Sequence, residues 1–296
     1  MHISDWVERN IRYIFILPAA IFVVVMVAFP LGYTLVISLR DWNLTTYAAQ
    51  RWIGVQNYLT LFSDARFWAA MGRTLAFSFG AVAVEMLLGV AIALFLNREI
   101  RGKNLTKTLF LLPMVATPVA VGMVWLLIYE PSLGLANHVL KLIGMVPQPW
   151  LTSRKTVLGS LMLVDIWQWT PIIMLITLAG LAILPRDPYD SARIDGANKA
   201  QILARITLPL VMPTVLVGIL IRLIDALKTY DIIYSTTQGG PGEASETLNI
   251  LGYVLGFSYF KMGLGAALIV LFLVTVTLVS LLVLALKNSI DRRTGW

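Results

Sequence analysis

The densest chemistry in this sequence sits inside an otherwise apolar stretch, where Asp165, Trp167, Gln168, Trp169 and Thr170 follow one another closely. Indole faces stack on the C–H faces of sugar rings while amide and carboxylate groups take the hydroxyls, so these types suit a polyhydroxylated solute. The same tryptophans serve equally as packing, and both readings stand. Glu85, Arg222 and Asp225 are further charges within or at the end of apolar runs. Ionisable groups there are costly, which makes them candidates for function. Arg222 and Asp225 lie three apart on one helical face and are expected to neutralise each other. Glu85 stands alone in its run, with a pairing to Arg222 or a contact with solute both open. No nucleophile lies beside a base, His2 and His138 form no ligand cluster, and there are no cysteines, so neither a catalytic nor a metal site is expected. Gly102-Lys103-Asn104 lacks the upstream glycine and the hydroxyl residue of a GxxxxGK(S/T) phosphate loop, so ATP hydrolysis in this chain is not expected.

The elements that must hold these groups are membrane helices. Of the 296 residues 58% are hydrophobic and 13% charged, too apolar for a soluble surface. A bilayer core about 30 Å thick needs about 20 apolar helical residues. Stretches 13–39, 74–97, 109–129, 157–184, 206–227 and 262–286 meet that need, which predicts an all-α polytopic fold with six spans in one membrane domain, 1–296. Asp5, Glu8 and Arg9 precede the first run, which is too long for a signal-peptide core and has no small-residue cleavage pattern after it, so it is read as a retained span. The net charge of +7 does not point to nucleic acid, because the basic residues are spread between spans. With the N-terminus inside, the inner segments hold 13 Lys and Arg (Arg9, Arg12, Arg98, Arg101, Lys103, Lys107, Arg186, Arg193, Lys199, Arg205, Lys287, Arg292 and Arg293) and the outer ones 9 (Arg40, Arg51, Arg66, Arg73, Lys141, Arg154, Lys155, Lys228 and Lys261), a modest bias that predicts both termini in the cytoplasm. Within the outer segment 41–67 and just beyond it, Tyr58, Leu59, Leu61, Phe62, Phe67 and Trp68 suit a short interfacial helix. Prolines 18, 30, 113, 118, 171 and 213 fall in the spans, where neighbouring helices satisfy the freed backbone groups.

The loop 186–205 is the most informative connection. Pro188 and Asp190 suit the first turn of a helix, and Gly196 breaks or bends it. Asp190-Ser191-Ala192, three residues, Gly196, nine residues, then Ile206-x-Leu208-Pro209 resembles the EAA loop of ATP-binding-cassette importer permeases, with Asp in place of Glu and Ser in place of the first Ala. The resemblance implies a short coupling helix packed into a cleft of a separate ATPase subunit, with Asp190, Ser191, Ala192, Gly196, Ala197 and Pro209 as the coupling positions. It also implies that ATP and magnesium are bound by that partner and that this chain carries no cofactor.

Two further stretches are similar to carbohydrate-importer permeases. One is Trp52-Ile53-Gly54-Val55-Gln56-Asn57-Tyr58 with Phe62-Ser63-Asp64 and Phe67-Trp68; the other is Tyr230-Asp231-Ile232-Ile233, Thr237-Gln238-Gly239-Gly240-Pro241 and Thr247-Leu248. Gly-Gly-Pro alone signals only a turn. The group includes maltose-, trehalose-, sugar-alcohol- and glycerol-phosphate-type importers, and the chain resembles the first of their two permeases. The resemblance implies an inner-membrane location, a second homologous permease, a dimer of ATPase subunits and a periplasmic or lipid-anchored solute-binding protein. It also implies a solute path lined by Asp165, Trp167, Gln168 and Trp169 together with Lys228, Thr229, Tyr230 and Asp231. The alternative is an ion-gradient-driven transporter using Asp165, Glu85 and Arg222 as a relay, which leaves the loop spacing without a reason.

Overall fold

The computed structural model describes residues 3–46, 50–98 and 101–294; His2 and the extreme termini, whose side of the membrane the charge bias predicts, lie outside the described residues. In chain order the helices are α1 (Ile3–Ser38), α2 (Gln56–Ser63), α3 (Ala65–Leu96), α4 (Lys103–Val115), α5 (Pro118–Ile128), α6 (Leu135–Leu142), α7 (Val157–Ala182), α8 (Asp187–Ile194), α9 (Lys199–Ile202), α10 (Leu208–Leu227), α11 (Asp231–Thr236), α12 (Leu248–Tyr253) and α13 (Met262–Thr294). Two-residue strands β1 (Arg40–Asp41) and β2 (Arg51–Trp52) pair antiparallel. Among the described residues five helices are long and apolar enough to cross a bilayer, and α4 with α5 makes a sixth crossing when that bent pair is counted as one. The six-span, all-α expectation therefore holds, with its third span broken.

The chain divides into two compact units. The first comprises Met1–Ala65 and Gly252–Leu273. Here α1 offers an apolar window of which none is buried. The chain turns back after α1 through hydrogen bonds: the Ser38 and Tyr58 hydroxyls lie 2.6 Å apart, and the Asn57 amide donates to the carbonyls of Ser38 and Arg40, each at 2.9 Å. Helix α2 is the short helix expected of the outer segment, with Leu61 buried. Phe67 and Trp68, read from sequence as part of it, belong instead to α3, which starts well before residue 74.

The second unit comprises Arg66–Leu251 and Val274–Trp296. Ala93 and Leu96 of α3, Met174 and Leu181 of α7 and Val211 and Val215 of α10 form one buried cluster. Between membrane helices such contacts act through close packing, because lipid tails are as apolar as leucine. Small residues let the backbones approach: a Cβ on Gly180 of α7 would meet Thr214 Cγ2 at 2.9 Å and Val211 Cγ2 at 3.0 Å on α10. A second cluster joins Val82, Leu223, Ala226, Leu227 and Val283.

The third span breaks for a local reason. Thr117 precedes a proline, which disfavours the helical region, and its φ of −67° and ψ of 142° are extended. Pro118 then opens α5 at a position where its missing N–H costs nothing. The two halves meet at 96°. The break frees backbone acceptors at membrane depth, and one of them, the Ala116 carbonyl, accepts a hydrogen bond from Gln168 Nε2 of α7 at 3.0 Å.

Candidate functional site

A buried ion cluster organises the middle of the second unit. Arg222 of α10 is 1% exposed, and its Nε lies 2.8 Å from Glu85 Oε2 of α3. Its Nη2 donates to Glu85 Oε1 at 3.1 Å and to Asp165 Oδ2 of α7. Asp225 Oδ2 is 3.6 Å from Nη1, on a side chain that is 53% exposed. The pairing expected between Arg222 and Asp225 is present, but the closer contacts come from the two fully buried carboxylates, since a charge removed from water requires partners that are themselves removed from it. Glu85 is not alone. Trp169 adds its ring, with the guanidinium carbon 5.4 Å from the ring centroid.

Beside this cluster lies a polar cavity of about 290 Å³ lined by Pro118, Asp165, Trp169, Asp225, Lys228, Thr229, Tyr230, Asp231 and Ile232. Helix α10 ends with Lys228 as its C-cap, and α11 restarts at Asp231, so four consecutive side chains of a helix break reach one hollow. The Lys228 carbonyl at this break accepts from Asn249 Nδ2 at 2.5 Å. Trp169, Asp225 and Lys228 also border a second hollow of about 310 Å³, whose other walls are Ile172, Ile221, Ile224 and the buried Arg222.

Six of the eight residues expected on a solute path converge here: Asp165, Trp169, Lys228, Thr229, Tyr230 and Asp231. Trp167 does not. Two residues from Trp169 on the same helix, it points about 200° away. Its ring packs 5.7 Å from that of Trp125 and borders an apolar groove of about 730 Å³ with Tyr129 and Trp150. Gln168 is fully buried and spends its amide on the broken third span. Asp225, read from sequence only as a neutralising partner, lines the cavity; its spacing of three from both Arg222 and Lys228 was the available signal.

The loop 186–205 holds α8, whose first turn carries Asp187, Pro188 and Asp190. None of its residues is buried, and Ile194 is 86% exposed. The exposed Asp190 carboxylate lies 3.4 Å from Arg193 Nη1. Gly196 adopts φ 76°, a left-handed conformation that other residues resist, and the Ala197 N–H donates to the Ala192 carbonyl at 2.9 Å, closing a helix-terminating Schellman turn. Asn198 and Gln201 then form a capping box that starts α9. A single π-helical turn, Leu203–Thr207, leads into α10, with Pro209 in its first turn. The Tyr189 hydroxyl bonds to Thr207 Oγ1 at 3.2 Å and straps α8 to that turn. Asp190, Ser191, Ala192, Gly196 and Ala197 thus share one short projection, and Pro209 sits at its root.

The Gly-Gly-Pro segment is pinned to α3. Arg66 grips Glu246 with two bonds of 2.9 and 2.6 Å, Arg73 Nε donates to the Glu246 carbonyl at 2.6 Å, and the Leu248 N–H donates to Thr74 Oγ1 at 2.9 Å. Sequence reasoning missed this grip, which spans 180 residues and has no local signature.

The probable ABC transporter permease protein y4oQ of Sinorhizobium fredii is 38% identical over 267 residues, covering 90% of this chain and 86% of that protein. The trehalose/maltose transport system permease protein MalF of Thermococcus litoralis is 35% identical over 272 residues, covering 91% and 90%. In fold, the chain is similar to one in the crystal structure of a bacterial ABC transporter involved in the import of the acidic polysaccharide alginate, with a TM-score of 0.83 at 23% identity over 97% of this chain and 98% of that one. The family described as binding-protein-dependent transport system inner membrane component matches residues 85–295, and the chain belongs to it.

Proposed function

We propose that the chain is one of two permease subunits of an importer for a sugar or sugar derivative, driven by ATP that a separate ATPase dimer hydrolyses. The observation that carries the solute class is the 35% identity to a trehalose/maltose permease over 91% of the chain. A polar cavity with one indole wall and hydroxyl, carboxylate and ammonium groups supports it. On this reading Asp165, Trp169 and Lys228 to Asp231 line half of the solute path. ATP and magnesium stay with the partner ATPase, and a solute-binding protein delivers the sugar on the outer side. Loop 186–205 faces the cytoplasm, as do both termini.

Coupling works through α8. An exposed helix strapped to the base of α10 transmits a push from the closing ATPase into the span that carries Arg222 and ends at the cavity. Asp190 meets a basic group on the ATPase, while Ser191, Ala192, Gly196 and Ala197 permit close packing. An ion relay fits this arrangement less well, because Arg222 holds both buried acids directly. The test is ATPase activity of the complex in nanodiscs with loaded binding protein, comparing wild type with Asp190→Arg. Loss of stimulation in a variant that still assembles supports coupling through α8. Normal stimulation in the variant, or transport by wild type without an ATPase partner, overturns it.

A further inference from the structure

Family likeness leaves the charge of the solute open: maltose and trehalose are neutral, whereas the alginate that the similar structure's transporter imports is acidic. From the polar cavity we infer that this permease passes neutral sugars and discriminates against acidic ones, a conclusion that rests on the cavity being part of the solute path. Sequence offers Arg222 and Lys228 as cations for an anionic ligand. The structure keeps the first out of the polar cavity: Arg222 borders only the adjoining hollow, is 1% exposed and is held by Glu85 and Asp165. What faces the cavity with exposed charge is Asp225, Asp231 and Lys228, two carboxylates to one ammonium.

The placement of these groups makes that balance matter. Lys228 lies three residues from each aspartate, on the stretch where α10 stops and α11 restarts, so one ammonium stands against two carboxylates on a single short segment of the cavity wall. Trp169 supplies an aromatic wall whose electron-rich face already carries the Arg222 cation. Such a wall stacks on an uncharged pyranose and gives nothing to a carboxylate. Hydroxyls of a neutral sugar find acceptors in Asp225 and Asp231 and donors in Lys228, Thr229 and Tyr230. A uronate in the same pose brings a further negative charge to a site with an excess of them, and like-charge juxtaposition is how specific sites reject a near-isosteric ligand.

The measurement is saturation-transfer NMR on the complete permease–ATPase complex in nanodiscs, without the binding protein, so that only the membrane site selects. Trehalose and trehalose oxidised to the uronic acid at one primary carbon are the probes. The expected wild-type result is binding of trehalose with the uronate weaker by on the order of tenfold or more, which one like charge supplies in a partly hydrated site. Asp225→Asn with Asp231→Asn closes most of that gap, and Lys228→Gln widens it. A uronate that binds wild type as well as trehalose does, or a ratio unmoved by the paired Asn changes, overturns the charge inference alone. No trehalose signal in wild type, or one that survives Trp169→Ala, overturns the placing of the solute in this cavity and the inference with it.

Discussion

Removing Arg222 tests the buried cluster more sharply than any other single change. In Arg222→Met the side chain keeps an unbranched apolar stem, but Glu85 and Asp165 lose the guanidinium that both contact. Breaking a buried pair by deleting one partner costs about 3–5 kcal/mol, because the remaining charge stays buried without compensation. One kcal/mol moves the melting point of a chain of this size class by about 2–4 °C, so the variant should melt about 6–20 °C lower. The cost comes from the stranded acids and not from lost packing, so neutralising them should restore stability. The triple change Glu85→Gln, Asp165→Asn, Arg222→Met is therefore expected to return to within a few degrees of wild type, as neutral replacements of buried ion pairs commonly do. Thermal unfolding of the complex in nanodiscs, followed by tryptophan fluorescence or size-exclusion, reads both values. A single variant as stable as wild type, or a triple variant as unstable as the single one, would refute the reasoning.

Three further outcomes follow from the geometry. Gln168→Met leaves the Ala116 carbonyl without its side-chain donor and should cost about 1–3 kcal/mol by the same melting assay; an unchanged melting point would show that the break does not depend on it. Gly180→Val forces a side chain against Thr214 and Val211 of α10, and overpacking of this kind should cost about 1–3 kcal/mol, with no loss expected only if α7 and α10 do not pack as described. Outside the spans, the backbone N–H groups of Leu133 and Ser132 hold the Glu130 carboxylate below its usual range. A depressed carboxylate stabilises its turn above the ordinary value of 4.5 and loses that effect as pH falls through the lowered one. Amide exchange at Leu133, corrected for its intrinsic pH dependence, should therefore accelerate below that value in wild type and lose this acceleration in Glu130→Gln; a flat corrected rate in wild type would count against the contact.

What could be read in advance was what the chain writes locally. The coupling loop is a fixed spacing inside one segment, so Gly196 could be expected to end a helix and does so with a left-handed turn. The spans are continuous apolar runs and were visible for that reason. The fate of their prolines was not: Pro171 and Pro213 remain inside continuous helices while Pro118 starts a new one after the extended Thr117, although all three are the same residue type in an apolar run. The partners of Arg222 are 137 and 57 residues away, so a pairing with Glu85 could only be left open beside the near neighbour Asp225. Trp167 and Trp169 are a different case. Two positions apart on a helix, they face nearly opposite directions, and helical periodicity already held the information that they do not share one surface.

The broken third span has a consequence for how this protein is made. At 1.5 Å per residue, the 13 residues of α4 reach about 20 Å and the 11 of α5 about 16 Å, and neither crosses a bilayer core of about 30 Å alone. The Ala116 carbonyl meets its donor only when Gln168, 52 residues further along, has left the ribosome. The bent third segment therefore depends on a helix made later to satisfy its break, whereas α1, which buries none of its apolar window, makes no such demand on the chain that follows it.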